Sequence, residues 1–253
     1  MAGIYLHIPF CKTRCIYCDF YSSTQTELKE QYIDALCREL ETRKSYLQGE
    51  LLETIYFGGG TPSLLTAGNF ERIFDTLDRV YNLKTCREIT FEANPDDLSA
   101  TYLQTLSSFP FNRISIGVQT FNDGILTLLN RRHNASQVFT AVNNCRQAGV
   151  NNISIDLIYG LPGETLEILR YDLSQALSLR PEHLSAYCLT YEKGTPIYAM
   201  QQKRQVEEMG EEAAVSFFAL VMDTLVGAGY EHYEISNFCR PGKHSQHNSA
   251  YWE

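Results

Sequence analysis

The sequence of 253 residues predicts an α/β fold made of six β–α units. Short runs rich in Ile, Tyr, Phe and Val alternate with stretches whose apolar residues recur at helical spacing. The connections are short, and such runs are typical of buried parallel strands. Because eight units close a full barrel, six predict an open, partial (β/α)6 barrel of the TIM type. A doubly wound flat sheet is the alternative that periodicity leaves open.

Each predicted strand is a short apolar run followed by a helical stretch. The predicted strands cover residues 3–8, 53–57, 88–93, 113–118, 152–158 and 183–189. Apolar stripes, for instance Phe70, Ile73 and Leu77, predict the helices, and Gly149 is a predicted helix stop. A longer helix is predicted over residues 206–226, and a seventh strand-like run over residues 230–238.

Charge and hydropathy exclude several classes of function. The formal net charge of −9 disfavours general binding to nucleic-acid backbones and to anionic membranes. No basic region followed by a long apolar stretch is visible at the N-terminus, and the most apolar later segment, residues 213–226, is interrupted by Ser216 and Asp223. These features predict a soluble, cytoplasmic protein with reduced thiols, no nucleic-acid partner and no stable membrane insertion.

Three of the eight cysteines, Cys11, Cys15 and Cys18, lie within eight residues. Thiolates are soft ligands that suit iron–sulfur clusters, zinc or copper(I). A cubane cluster has four irons and normally takes four cysteines, so this triplet would leave one iron open to a small-molecule ligand. The triplet follows the first predicted strand, and function in such folds belongs at the carboxyl ends of the strands. The position therefore favours the cluster.

Structural zinc is the alternative for the triplet, with His7, Asp19 or Cys37 as the fourth ligand. Zinc sites usually pair two ligands with two more much further along the chain, and no second pair is obvious. Cys239, His244 and His247 lie close together in sequence, but their spacing does not match a usual zinc site.

Other polar residues also follow predicted strands. They are Gly58, Gly59, Gly60 and Thr61 after the second strand, Glu92 at the end of the third, Gln119 at the end of the fourth and Asp156 late in the fifth. The glycine run can aim N–H groups at a carboxylate or an amino-acid end group, although a tight turn is the other reading. Arg131 and Arg132 are candidate partners for an anionic ligand group, although such a pair commonly marks an exposed helix end.

These motifs together resemble the radical S-adenosylmethionine (SAM) superfamily, and within it the coproporphyrinogen-oxidase-like branch. The matching motifs are Y-x-H-I-P-F-C-x3-C-x2-C from Tyr5, G-G-G-T-P from Gly58, F-E-A-N-P from Phe91, S-I-G-V-Q from Ser115, N-R from Asn130 and D-L-I-Y-G-L-P from Asp156. They occur in the order of that branch, and the resemblance covers essentially the whole chain.

The resemblance implies a partial (β/α)6 barrel over residues 1–227, with a 4Fe–4S cluster on the cysteine triplet. SAM would chelate the open iron through its amino and carboxylate groups. A reduced cluster would pass one electron to the bound sulfonium and leave methionine and a 5′-deoxyadenosyl radical. The residues implied for the SAM pocket are Tyr5, Gly60, Thr61, Glu92, Gln119, Arg131, Asp156 and Thr190.

Two groups of the branch differ at one position. The oxygen-independent coproporphyrinogen III oxidases carry an extra cysteine two residues after the third cluster ligand, and this chain has Phe20 there. Haem chaperones of the branch share C-x2-C-D-F, Y-E-I-S-N-F from Tyr233 and H-N-x-x-Y-W from His247. The sequence therefore favours a haem chaperone over an oxidase.

The chaperone reading implies haem as cargo and haem-accepting proteins as partners, with a homodimer as a candidate assembly. His247 is the implied haem-binding residue, since histidine is a natural axial ligand for haem iron. A solvated residue in a frayed tail is the alternative for His247. Residues 228–253 are expected to begin a C-terminal region that is truncated in this chain. A non-redox protein with zinc on the triplet is the remaining alternative.

Overall fold

The computed structural model describes residues 2–250, which form one largely parallel sheet with helices on one side. The strands are β1 (Ala2–Ile8), β2 (Leu52–Gly59), β3 (Glu88–Ala93), β4 (Arg113–Gln119), β5 (Ile153–Tyr159), β6 (His183–Cys188), β7 (Glu231–Glu234) and β8 (Asn237–Cys239). Their order in the sheet is β1-β2-β3-β4-β5-β6-β8-β7. The first six strands pair in parallel in sequence order, so the prediction of six β–α units is confirmed.

Helices connect successive strands, as the apolar stripes predict. They are α1 (Lys29–Thr42), α2 (Ala67–Val80), α3 (Ala100–Leu106), α4 (Asp123–Leu128), α5 (Ala135–Gln147), α6 (Leu166–Ser178), α7 (Pro196–Gln202), α8 (Glu211–Gly227) and α9 (Gln246–Ser249). Thr66 and Asn134 begin α2 and α5 with capping boxes, which satisfy backbone N–H groups of the first turn. Gly149 has φ +84 just after α5, as expected of a helix stop.

The two sides of each strand carry different chemistry. Apolar residues such as Ile55, Phe57 and Ile116 are completely buried in the main core with the helices. The alternate residues of the same strands are polar, for example Glu92, Ser115 and Asp156. Barrel interiors are usually filled with branched apolar side chains. A polar inner face therefore indicates that this interior binds something besides protein.

Two sequence expectations differ from the structure. The long helix begins at Glu211 rather than at residue 206, because the chain bends before Gly210, the N-cap of α8. The prediction of a single strand over residues 230–238 is wrong, because this segment contains two strands, β7 and β8, which pair antiparallel with each other. β8 then pairs antiparallel with β6, so the described part of the expected C-terminal region extends the same sheet. The division of the chain at residue 227 stays a prediction.

The segment after β8 carries His247 to the amino-terminal ends of the first strands. Glu88, at the start of β3, accepts hydrogen bonds from the backbone N–H groups of Gln246 (3.1 Å) and His247 (3.1 Å). The His247 Nδ1 atom lies 2.9 Å from Thr54 Oγ1. A buried carboxylate that accepts two backbone N–H groups thus fixes α9 beneath β1, β2 and β3.

No helix among residues 2–250 is long and apolar enough to span a bilayer.

We expect Glu88→Ala to destabilise the protein and to release α9 first. The substitution leaves two N–H groups without an acceptor, which costs about 1.5–3 kcal/mol. Hydrogen exchange of residues 245–250 should accelerate, and chemical denaturation should give the free-energy change. Glu50→Ala, at an exposed position, is the control and should change stability by less than ~0.5 kcal/mol. Unchanged exchange in Glu88→Ala would refute the anchoring role.

Candidate cofactor-binding site

The carboxyl ends of the strands surround a cavity of about 490 Å³. Strands β2 to β6 each contribute lining residues, and so does the loop after β1. Of the predicted site residues, the cavity is lined by Cys11, Cys15, Cys18, Gly60, Thr61, Glu92, Gln119, Arg131, Asp156 and Thr190. The structure thus brings together residues that are up to about 180 positions apart in sequence. A second cavity of about 540 Å³, lined by Arg87, Phe111 and Lys243 among others, contains none of them.

The loop that carries the three cysteines is closed at its base. The Cys11 N–H donates to the Ser23 carbonyl (2.9 Å), and the Ser23 N–H donates to the Pro9 carbonyl (2.6 Å). The far side of the loop is also held, because the Ile16 N–H donates to the Leu129 carbonyl (3.2 Å). The loop therefore has a fixed conformation with its thiols directed into the cavity.

Each cysteine has a different polar neighbour. Thr61 Oγ1 donates to Cys11 Sγ (3.5 Å), and Arg131 Nη1 donates to Cys15 Sγ (3.4 Å). Burial raises the pKa of the Cys18 thiol, and the neighbouring thiols Cys15 and Cys11 raise it further. A bound metal would lower the pKa of this thiol, because its positive charge favours the thiolate.

The separation of the three sulfurs bears on the zinc alternative. The sulfur atoms of Cys11, Cys15 and Cys18, which belong to the described residues 2–250, do not all lie within 4.8 Å of one another. One tetrahedral ion with Zn–S bonds of ~2.3 Å needs its sulfurs within roughly 4 Å. A cubane instead bonds each cysteine to a different iron, and it accepts a wider spacing. The geometry favours the cluster over a single ion.

The glycine run after β2 brings its backbone against the cysteine loop. The Gly60 N–H donates to the Ile8 carbonyl (2.8 Å). A Cβ atom at Gly60 would lie 2.8 Å from the Phe10 carbonyl oxygen and 2.9 Å from the Ile8 carbonyl oxygen. Gly59 has φ +106, a conformation that side chains rarely adopt. Gly60 is therefore required by the contact between the two backbones, and Gly59 by its positive φ.

Glu92 is held from two sides at the floor of the cavity. Its Oε1 accepts from the Tyr56 hydroxyl (2.7 Å), and its Oε2 accepts from the Gly59 N–H (3.1 Å). Burial raises the pKa of Glu92 to about 7, against the lowering effect of the Tyr56 hydrogen bond. The carboxyl group therefore titrates near neutral pH.

Asp156 faces the same interior from β5, as strand alternation predicts. Both carboxylate oxygens accept from Ser115 Oγ at 3.2 Å. Burial raises the pKa of Asp156, and the positive charge of Arg113 opposes that rise. Arg113 also lines the cavity and is only 2% exposed, so a buried guanidinium and the two carboxyl groups share one interior.

Arg131 connects the strands to the cysteine loop. Its Nη2 donates to Asn94 Oδ1 (2.7 Å) and to the Gly117 carbonyl (2.5 Å), while Nε has no hydrogen-bond partner among the described residues. The group lines the cavity as a cation close to Cys15. It can therefore hold an anionic group of a bound ligand. Gln119, with φ +70, turns its side chain towards the same place, next to Gly117.

Two expected residues already have partners on the protein. Arg132 also lines the cavity, where it is paired with Asp96 (3.0 Å) and Asp97 (2.7 Å), and its role as a partner of an anionic ligand stays a prediction. Tyr5 does not line the cavity, but its ring stacks on Tyr56, which does.

His247 is only 5% exposed, and its ring stacks on Tyr56 with 5.1 Å between centroids. It is therefore not a residue of a solvated tail. Burial lowers the pKa of the His247 imidazole, so the ring is neutral at pH 7. Asn248, the next residue of the same motif, lines the cofactor cavity. Tyr251 and Trp252 lie outside the described residues.

Several lining residues were missed by sequence reasoning. Tyr56, Arg113, Ser185 and Tyr187 line the cavity as inward-facing residues of β2, β4 and β6. The same alternation that identified Asp156 would have found them, because each lies an even number of positions from another polar residue on its strand. They follow no recognisable motif, so only the strand register points to them.

Comparisons with known proteins agree with this geometry. A sequence profile of the radical SAM superfamily matches residues 5–174, which contain nine of the ten cavity-lining residues named above. The chain belongs to the radical SAM superfamily. The heme chaperone HemW of Lactococcus lactis is 40% identical over 98% of this chain, and that of Bacillus subtilis is 39% identical over 100%. The chain spans 65% and 67% of the length of these two relatives.

Solved structures support the same fold. Coproporphyrinogen III oxidase (HemN) of Escherichia coli superposes with a TM-score of 0.83 and 30% identity, over 95% of this chain and 56% of that protein. The archaeal Elp3 of Methanocaldococcus infernus superposes with a TM-score of 0.62 at 19% identity, over 81% of this chain and 52% of that one, and shows the fold alone. The partial (β/α)6 barrel is confirmed, and the flat doubly wound sheet is excluded.

The family implies a 4Fe–4S cluster and SAM, and the residues present fit both groups. Three cysteines line one cavity with a spacing that a single ion does not explain. The buried Arg131 Nε, which has no hydrogen-bond partner among the described residues, leaves a cationic donor beside the cysteines for the carboxylate of an amino-acid end group.

We expect Gly60→Ala to abolish cluster and SAM binding without unfolding the barrel. The added Cβ meets two backbone carbonyl oxygens that cannot move without displacing the cysteine loop. Iron and sulfide content after anaerobic reconstitution should fall at least about tenfold. Gly68→Ala is the matched control, since its Cβ would meet only Thr66 Oγ1, at 4.0 Å. Full iron content in Gly60→Ala would contradict the close approach of the two backbones.

Proposed function

We propose that the chain is a haem chaperone of the radical SAM superfamily, which binds a 4Fe–4S cluster and SAM and transfers haem to acceptor haemoproteins. The observation that carries the proposal is the similarity, over nearly the full chain, to proteins named heme chaperone HemW. The chain is predicted to act in the cytoplasm. The homodimer and the absence of nucleic-acid partners stay predictions.

Different residues of the chain would hold the cluster and SAM. Cys11, Cys15 and Cys18 would bind three irons of the cluster, and the cluster with SAM would supply one-electron chemistry. Arg131 would pair with the SAM carboxylate, and the backbone at Gly60 would receive the amino-acid end.

The inward carboxyl groups would hold the other end of SAM. Glu92 and Asp156 are acceptors placed by hydrogen bonds from Tyr56 and Ser115, so their free lone pairs can accept from ribose hydroxyls. Gln119 and Thr190 would complete the wall, and Tyr5 would support it by stacking on Tyr56.

Phe20 is the residue that favours the chaperone over the oxidase. Its side chain is 65% exposed and lines the mouth of the cofactor cavity, two residues after Cys18. The resemblance places a further cysteine of the oxidases at this position. A phenyl ring has no thiol to take part in redox or proton transfer, and it offers an apolar surface instead.

His247 stays the predicted haem-binding residue, with a condition that comes from its position. The ring lies against Gly3, Thr54 and Tyr56 beneath the strands, where a macrocycle has no access. Haem coordination by His247 therefore requires α9 to leave this position. The energetic cost of that movement includes the two N–H bonds to Glu88.

The pKa of Glu92 predicts a pH-dependent affinity for SAM. Below about pH 7 the carboxyl group is protonated and loses acceptor capacity, so affinity should fall roughly tenfold per pH unit and be regained as the pH rises through 7. Calorimetry of the reconstituted protein at several pH values measures this. Glu92→Gln should bind weakly at every pH.

Glu164→Gln is the matched control for that experiment. Burial also raises the pKa of Glu164 to about 7, but the residue does not line the cavity. The control should keep the pH dependence of the unaltered protein. A pH-independent affinity of the unaltered protein would exclude Glu92 as a ligand-binding group.

Parallel assays of one anaerobically reconstituted preparation test the proposed function. We expect about four irons per chain, haem binding, haem transfer to an apo-haemoprotein and no decarboxylation of coproporphyrinogen III. Formation of protoporphyrinogen would overturn the assignment in favour of the oxidase. Cys11→Ala should lose the cluster, whereas Cys37→Ala, at a half-buried position on α1, should keep it.

The haem spectrum of His247→Ala separates two roles of that residue. If His247 coordinates the iron, the axial-ligand bands change and haem affinity falls. If the ring only packs beneath Tyr56, the spectrum is retained and the thermal midpoint falls. His232→Ala is the control, because this histidine stacks on Phe238 at the far edge of the sheet.

A further inference from the structure

Glu231, Cys239 and His244 form a cluster of metal-ligating side chains at the amino-terminal edge of the sheet. One carboxylate oxygen, the thiol sulfur and one imidazole nitrogen all lie within 4.8 Å of one another. Within the described residues 2–250, no other group of three or more His, Cys, Asp or Glu side chains has its donor atoms this close together. Tetrahedral zinc bonds of ~2.0–2.3 Å place such donors roughly 3.3–3.8 Å apart, so shifts of about 1 Å suffice.

The strand ladder places two of the three donors. Glu231 of β7 and Cys239 of β8 are directly paired in an antiparallel register, so their side chains project on the same face. Cys239 is also paired with His183 of β6 and is completely buried. The sulfur is therefore fixed by a strand that is hydrogen-bonded on both sides.

A tight turn returns the third donor to the same place. The Lys243 N–H donates to the Arg240 carbonyl (2.9 Å), and Gly242 at φ +74 allows the turn. His244 then lies with its Nε2 atom 3.3 Å from a Glu231 oxygen and its ring edge-to-face with Tyr233. The Tyr233 hydroxyl is itself hydrogen-bonded to His183 Nε2 (2.7 Å), so the ring that the His244 imidazole contacts is held in place.

The donor set suits one class of cation. Sulfur and imidazole nitrogen select borderline-soft ions such as Zn²⁺ over Mg²⁺ or Ca²⁺. A thiolate and a carboxylate together neutralise a divalent charge, and the neutral imidazole adds none.

We propose that Glu231, Cys239 and His244 bind a zinc-type divalent cation through one carboxylate, one thiolate and one imidazole, with water in the fourth position. Binding transfers the thiol proton of Cys239 to solvent and forms the metal–sulfur bond, and no electron moves. Because Glu231 and His244 are exposed, the ion enters directly from solvent.

The site differs from the grouping that sequence proximity suggests. His247 points into the barrel and stacks on Tyr56, so it is absent from the cluster. Glu231, which is eight residues before Cys239, takes its place through the hairpin. The bound ion would join β7, β8 and the turn that precedes α9, and would therefore hold the segment that carries His247 and Asn248.

The test uses the anaerobically reconstituted protein, in which the cluster occupies the cysteine triplet. The protein is incubated with Zn²⁺ and desalted, and zinc is counted by elemental analysis and examined by X-ray absorption at the zinc edge. We expect about one zinc per chain, with one sulfur and two or three nitrogen or oxygen neighbours. Cys239→Ser and His244→Ala should each weaken zinc binding at least about tenfold, while Cys37→Ala should leave it unchanged.

Two results would overturn the proposal. One is less than a tenth of an equivalent of zinc in the unaltered protein after desalting. The other is a zinc shell with two or more sulfurs, which would place the ion at the cysteine triplet. Thermal unfolding supplies a second measurement, since zinc should raise the midpoint of the unaltered protein and of Cys37→Ala but not of Cys239→Ser. Equal zinc-induced shifts in all three proteins would also exclude the site.

Discussion

The cost of burying charge inside a barrel governs this structure. Glu92, Asp156 and Arg113 lie on the inner face of the sheet, where an isolated ion would be several kcal/mol less stable than in water. Hydrogen bonds from Tyr56 and Ser115 offset part of that cost. The remainder appears in the raised pKa values of both carboxyl groups. A polar ligand that forms hydrogen bonds in this interior would lower the remaining cost.

The apolar side of the sheet supplies the rigidity that this arrangement requires. Phe57, Phe70, Phe91 and Phe111 pack edge-to-face or tilted between β2, β3 and the first helices. Rigid strands keep their carboxyl ends in register. The cysteine loop is attached to two of those ends by hydrogen bonds. Arg131 joins them, since one guanidinium contacts a cysteine sulfur, a loop amide and a strand carbonyl. Cofactor binding therefore depends on packing far from the cofactor.

The fold and most of the site residues could be predicted from the sequence. Periodicity located six parallel strands because each is buried on one side, and the cysteine spacing indicated a metal centre because few other uses require it. It did not separate β7 from β8, since Tyr230 to Phe238 contains no turn signal beyond Ser236–Asn237. It named Arg132 as a candidate partner of an anionic ligand, because spacing cannot show that Asp96 and Asp97 already pair with it. Nor could it place His247 inside the barrel, because that depends on a long-range contact with Glu88.

The stack of His247 on Tyr56 links the segment after β8 to the cavity. Tyr56 donates to Glu92, which accepts from the glycine turn that lies against the cysteine loop. Four consecutive contacts thus run from the H-N-x-x-Y-W motif to the neighbourhood of the cluster. When α9 moves, the tyrosine loses one face of its packing and its hydroxyl is freer to turn from the carboxylate. A displacement of α9 would then alter the affinity of the cavity for its ligand, and by thermodynamic reciprocity a ligand in the cavity would alter how easily α9 is displaced.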